Sequence, residues 1–215
     1  METTLKSQSF CSGKLLCRGT ILWNTATRSA VLIDPTDDAT PFLEFILKMN
    51  LEVKALLLTH AHVDHAASVC EVAKTLHLIP QMHPADIPLY QNMHRHGISY
   101  GIRIAPLDII PSPLEQGQLL QIEPDFLIRV LHVPGHTPGC VTFYIPALNL
   151  AIVGDTLFRE SVGRTDLPGG NQKDLFHSIQ TILYQLPAET TAVPGHGPLT
   201  TIGHEMRQNP YVKAL

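Results

Sequence analysis

Charge is scarce in this chain: Asp, Glu, Lys and Arg make up 16% of 215 residues, and 15 basic against 19 acidic side chains leave a net charge of −4. No basic face announces a nucleic acid or a membrane surface as partner. Aromatic residues reach only 6%, with a single tryptophan. Cysteines number four (Cys11, Cys17, Cys70, Cys140), too few for a secreted disulfide scaffold, and no two are spaced Cys-x-x-Cys. No apolar run approaches the roughly 18 residues of a membrane span, and Lys6, Lys14 and Arg18 interrupt the N-terminus before a signal-type stretch develops. A soluble, cytoplasmic protein is the expectation. Against these shortages stand 44% hydrophobic residues, which exclude disorder, and 12 histidines, whose placement carries the functional reading. At roughly 150 residues per domain, one large domain over residues 1–215 is the better expectation.

The first third alternates short apolar runs with helical spacing. Thr20–Trp23 and Ala30–Ile33 read as strands, and Thr40-Pro41 reads as an N-cap followed by proline, with Phe42, Phe45, Ile46 and Met49 on one helical face. Ala55–Leu58 suits a strand buried on both faces, residues 66–76 a helix, and residues 79–82 another strand. Residues 85–117, rich in proline, read as a long connection. The second half repeats the rhythm: strands at 119–122, 126–133, 141–145 and 150–153, a helix at 173–186 and a last strand at 191–193. The class is α/β. Two such halves over one core would make a four-layer αββα sandwich, and the pattern equally allows a three-layer domain.

Each polar cluster follows a strand: Thr59-His60-Ala61-His62-Val63-Asp64-His65, then Pro134-Gly135-His136-Thr137, then Gly154-Asp155-Thr156, then Gly195-His196-Gly197. Side chains at strand ends are held rigidly and can converge on one point. Imidazole with carboxylate suits zinc, manganese or iron, and five histidines with two aspartates exceed the four ligands of a closed structural zinc site. Two metal ions are therefore expected. His60 and His62, alternate residues on extended backbone, can share one ion, while Asp64 and His65, past the bend, can reach a second. The competing account is a set of hydrogen-bonded loop histidines, which agreement of type, spacing and strand-end placement argues against.

The motif His60-x-His62-x-Asp64-His65, followed by His136, Asp155 and His196, resembles the metallo-β-lactamase-fold hydrolases across nearly the whole chain. The resemblance implies the αββα architecture. It also implies that His60, His62 and His136 hold one ion, Asp64, His65 and His196 the other, and Asp155 bridges. Asp155 in place of a cysteine, the segments Gly154–Phe158 and Val162–Gly170, and the ending Pro194-Gly195-His196-Gly197-Pro198-Leu199-Thr200-Thr201 are similar to short bacterial glyoxalase II-like proteins without the helical C-terminal domain. That kinship implies hydrolysis of a thioester such as S-lactoylglutathione, with two divalent ions, zinc or else iron or manganese. Asp64 and Asp155 become the catalytic carboxylates, and Arg164 and Asp166 the candidate substrate contacts.

Water shared by two cations has its pKa lowered toward about 7, and a thiol with a pKa near about 8.5 leaves without a strong acid. The same fold also hosts persulfide dioxygenases, which by resemblance would use one iron on His60, His136 and Asp155. A lactonase and an inactive metal-binding scaffold complete the alternatives. Arg164 and Asp166 could equally form an internal ion pair. His94, Arg95, His96 and Tyr100 are read as a solvated loop, Cys70 and Cys140 as buried fillers, and the remaining histidines as surface or polar-core residues, with His132, whose strand leads into His136, the exception.

Overall fold

A computed structural model describes residues 3–104 and 106–214. In chain order the strands and helices are β1 (Leu5–Ser12), β2 (Cys17–Asn24), β3 (Ser29–Ile33), α1 (Thr40–Met49), β4 (Glu52–Leu57), α2 (Val63–Ala66), α3 (Val69–Leu76), β5 (Gln81–Met82), α4 (Ile87–Gln91), α5 (Met93–Tyr100) and β6 (Ser112–Pro113). There follow β7 (Leu119–Glu123), β8 (Phe126–His132), β9 (Val141–Ile145), β10 (Leu150–Gly154), β11 (Leu157–Phe158), β12 (Ser161–Val162), α6 (Gln172–Thr181), β13 (Thr191–Pro194), β14 (Thr200–Thr201) and α7 (Ile202–Gln208). Two six-stranded sheets form, in the orders β1-β2-β3-β4-β5-β6 and β14-β13-β10-β9-β8-β7, beside a small β11-β12 hairpin.

Period-two geometry explains why the central strands read as unbroken apolar runs: both of their faces are covered. Along β3, Val31 and Ile33 point to the second sheet while Ala30 and Leu32 point to helices; along β10, Leu150 and Ile152 face inward and Ala151 and Val153 outward. Phe126, Ile128, Val130, Phe143 and Ile145 complete the layer between the sheets. Phe42 and Ile46 of α1, with Val69, Cys70, Val72 and Ala73 of α3, cover the first sheet. Leu175 and Ile179 of α6, with Leu183 and Ile202, cover the second. Three apolar interfaces make four layers, αββα, which decides between the two architectures the pattern left open. Removing a side chain such as the fully buried Phe143 should cost about 3–5 kcal/mol.

Several boundaries differ from the sequence reading. Helix α1 has Ala39, not Thr40, at its N-cap position, with no side-chain cap, and the Asp38 carboxylate accepts from the Thr40 amide at 3.0 Å. The expected strand at 79–82 is only Gln81–Met82, with Ile79 in solvent. The helix at 173–186 stops at Thr181 and continues as a single tighter turn, Leu183–Gln185. Residues 85–117 are not a bare connection, since they hold α4, α5 and β6. Strands β1 and β14 and helix α7 have no counterpart in the sequence reading. Among the described residues no helix is long and apolar enough to cross a membrane.

Candidate metal centre

Strands β3 and β4 run parallel, as do β10 and β13, so the segments that follow β4, β8, β10 and β13 emerge at the same end of the two sheets. His60 lies just past β4, His62 in extended conformation at the N-terminus of α2, and Asp64 and His65 in that helix's only turn. His136 follows β8, Asp155 follows β10 past a register shift between Ile152 and Gly154, and His196 follows β13. All seven predicted ligands meet there, six of them buried and His196 partly exposed.

Ring nitrogens converge in a way that hydrogen bonding cannot satisfy. The Arg164 carbonyl, an acceptor only, takes the His136 Nδ1 proton at 2.7 Å, which leaves Nε2 with its lone pair. Thr59 donates to Asp34 at 2.6 Å and so accepts from His60 Nδ1 at 3.0 Å, which frees the His60 Nε2 lone pair likewise. Both lone pairs face His62 Nδ1, at 2.9 Å from His136 and 3.2 Å from His60. One ring proton cannot serve both, and a cation can. Burial pushes the His60 imidazole well below its ordinary range and the His62 imidazole down to about 3, which keeps both neutral and able to donate lone pairs.

The second group lies beside the first. Asp34 accepts from His65 Nδ1 at 2.9 Å, so His65 Nε2 points at Asp155 Oδ1, 3.3 Å away, and at Asp64 Oδ2, 3.9 Å away. His65 Nε2 and Asp155 Oδ1 are buried with no hydrogen-bond partner among the described residues. Asp155 Oδ2 turns the other way, 3.7 Å from His136 Nε2 and 3.8 Å from His196 Nε2, so the carboxylate stands between the groups. His196 Nε2 lies 2.9 Å from Asp64 Oδ2. Burial pushes His65 down, but the Cys17 sulfur when ionised, with the carboxylates of Asp155, Asp34 and Asp64, pushes harder the other way and holds it well above its usual range. Burial likewise works against the Asp155 carboxylate, yet His65, His136 and His196 hold it well below. The centre attracts positive charge, and this donor set fits a metal.

Residues the sequence reading passed over hold the donors in place. Asp34, read only as part of a turn, also accepts from the Thr59 amide at 2.7 Å. Asp86, fully buried, accepts from the Ala61 amide at 2.9 Å, from Thr137 at 2.8 Å and from the Gly139 amide at 2.6 Å, which ties the His60 segment to the His136 segment. Arg18 donates to the carbonyls of Pro194 and Gly197 at 2.6 and 2.7 Å and so fastens the His196 loop. Such outer partners fix ring orientation and ligand basicity. Nothing in the local sequence flags them, since each partner lies tens of residues away.

A cavity of about 650 Å³ opens over the cluster. Its wall is largely apolar, with Leu15, Val63, Phe158, Val162 and Leu167. His96, Ser99 and Tyr100 of α5 line it too, so that part of the expected solvated loop belongs to the site, while His94 and Arg95 lie outside its lining. The His96 ring centre is 6.4 Å from that of His62. Arg164 is on the wall but Asp166 is not; the two form a paired contact, Nε to Oδ1 and Nη2 to Oδ2, both 2.7 Å, exposed to solvent. His132 is off the cavity, stacked on His83 at 3.8 Å and donating to the Pro138 carbonyl. Cys70 and Cys140 are apolar fillers, as expected.

The model of the metallo-beta-lactamase superfamily matches residues 19–196. The chain belongs to that superfamily. Over 90% of its length it is 32% identical to hydroxyacylglutathione hydrolase GloC of Haemophilus influenzae, spanning 92% of that protein. It is 35% identical to the probable metallo-hydrolase YqgX of Bacillus subtilis, over 86% of this chain and 88% of the other. The crystal structure of TTHA1623 in a di-iron-bound form superposes with a TM-score of 0.87 at 40% identity, over 95% of this chain and all of that one. Membership in the metallo-beta-lactamase superfamily places the chain with metal-dependent hydrolases.

Proposed function

We propose that the protein is a dinuclear metal-dependent thioester hydrolase whose substrate is an S-acylglutathione such as S-lactoylglutathione. The observation that carries this reading is the pair of donor groups, His60/His62/His136 and Asp64/His65/His196, buried but for His196, with the Asp155 carboxylate facing both. These would hold one ion each, with Asp155 shared. The name of the Haemophilus influenzae relative and the di-iron form of TTHA1623 support the substrate and the ion count. Bound there, two divalent ions supply acidified water and Lewis-acid polarisation of a carbonyl.

The chain's own residues supply the rest. Leu15, Val63, Phe158, Val162 and Leu167 exclude bulk water around the scissile bond. Asp64 and Asp155, which line the cavity, orient the attacking water by accepting its hydrogen bonds, and the proton it loses passes to solvent. A thiolate leaves without protonation, which agrees with the absence of a dedicated acid among the motif residues. Arg164 is pinned by Asp166 through Nε and Nη2, and its Nη1 is left to meet a substrate carboxylate.

A one-iron dioxygenase would need only His60, His136 and Asp155, and the complete second donor group favours the hydrolase. Metal analysis of the purified protein, with thiol release from S-lactoylglutathione monitored alongside oxygen uptake, tests the reading. Two ions per chain and thiol release without oxygen consumption are expected; one iron with oxygen uptake would refute it.

A further inference from the structure

Cys17 is the first residue of β2 and is fully buried, yet it belongs to none of the three apolar clusters that hold Cys70 and the other core side chains. Its Sγ instead lies with donor atoms of Asp64, His65 and His196, all within 4.8 Å of one another. His65, itself completely buried, directs an unpartnered Nε2 into the same group. The position is rigid. The Arg18 amide donates to the Gly195 carbonyl at 2.7 Å, and the Arg18 guanidinium grips the carbonyls on either side of the Gly195-His196 pair, so the thiol and the His196 ring are fixed to the same piece of backbone.

We propose that Cys17 is a ligand of the second metal ion, which makes that position a mixed sulfur, nitrogen and oxygen site built from Cys17, Asp64, His65 and His196. The inference rests on the two-ion reading above and adds a donor to it. On binding, the thiol gives its proton to solvent and the sulfur lone pair goes to the ion. A soft sulfur donor biases the position toward zinc or iron(II) and away from manganese or magnesium, more strongly than the imidazoles and shared Asp155 carboxylate of the first position do. Within this fold the sulfur comes from the first sheet, and Cys17 is not among the residues lining the cavity, whereas Asp64 and His196 are. It therefore sets which ion sits there without obstructing the substrate.

The test is stepwise cobalt(II) titration of the full-length, metal-stripped protein, followed by optical spectroscopy. A thiolate-to-cobalt charge-transfer band in the near ultraviolet should appear in wild type and be missing from Cys17→Ser. Competition with a chelator should show the second cobalt bound at least about tenfold more weakly in Cys17→Ser, and the first unchanged, which shows that the variant has folded. Two cobalt ions bound by wild type with no such band would overturn the sulfur ligand and leave the two-ion reading standing. A single cobalt bound per chain would overturn both. The wild-type spectrum decides the matter even where the variant does not fold.

Discussion

Gly195 sits immediately before His196, and its missing side chain is what lets the loop lie against the metal centre. A methyl group there would stand 2.4 Å from Asp155 Oδ1 and 2.6 Å from His65 Cε1. Ordinary contact begins near 3.4 Å, so in Gly195→Ala the Asp155 carboxylate or the loop must withdraw by about 1 Å, a displacement that costs on the order of 10²-fold in rate when it falls on reacting groups. Overpacking adds roughly 1–3 kcal/mol of lost stability, or about 2–12 °C in a chain of this size. Steady-state thiol release should fall about a hundredfold, calorimetry should show impaired uptake of the second ion, and melting should drop within that range. Gly197→Ala is the control. A methyl group added there would meet no atom within 4 Å, and only the φ of +75° opposes a side chain, which costs about 1–2 kcal/mol and leaves the donors where they are. Wild-type turnover and full ion uptake in Gly195→Ala would refute the argument, as would equal losses in both variants, because strain rather than contact would then be responsible.

Asp34→Asn replaces a carboxylate that accepts from His65, the Thr59 hydroxyl and the Thr59 amide, and should weaken ion binding by about 10–100-fold in chelator competition; unchanged affinity would remove Asp34 from the support of the site. In the metal-free protein, acid should destabilise the fold from about pH 6.5 down toward 3. The unfolded chain protonates His60 and His62 in that window and the folded chain, which holds both low, does not. His65 and His196, raised in the fold, oppose this only at the top of the window, where the unfolded chain still sheds their protons, and add no slope below it. A melting temperature that stays flat across this window in chelator would contradict the assignment. With ions at a hundredfold excess over their dissociation constant the fold should gain about 2.7 kcal/mol per site, seen as a higher melting temperature that chelator reverses. Arg164→Ala should raise KM for glutathione thioesters with kcat little changed, since the backbone carbonyl that orients His136 survives the substitution; an unaltered KM would take the guanidinium out of substrate binding.

What the sequence disclosed followed from how local the cause was. Unbroken runs such as Ala30–Ile33 and Val141–Ile145 announced strands because each residue is covered on its own face, and the ligand motif was readable because strand, bend and donor are consecutive from Ala55 to His65. Strand β1 was silent, since Leu5–Ser12 is an edge strand whose middle residues are mostly exposed and whose pairing is supplied by β2. Proline misled in residues 85–117: Pro84 and Pro88 occupy the first turn of their helical segments, where a missing amide hydrogen costs nothing. Asp34, Asp86 and Cys17 escaped for another reason. Their roles depend on groups brought from Thr59, Thr137 and His196, and no periodicity encodes such meetings.

The donor set is divided between the two sheets. His60, His62, Asp64 and His65 belong to the half that carries the first sheet, His136, Asp155 and His196 to the other, and neither ion position is complete without both. An ion held there acts as a rivet through the seam, and part of its binding free energy is spent in keeping the halves docked. Withdrawing the ions should therefore loosen that seam first, with amide exchange quickening in the loops around residues 59–65 and 134–139 before it does in the ladders of either sheet.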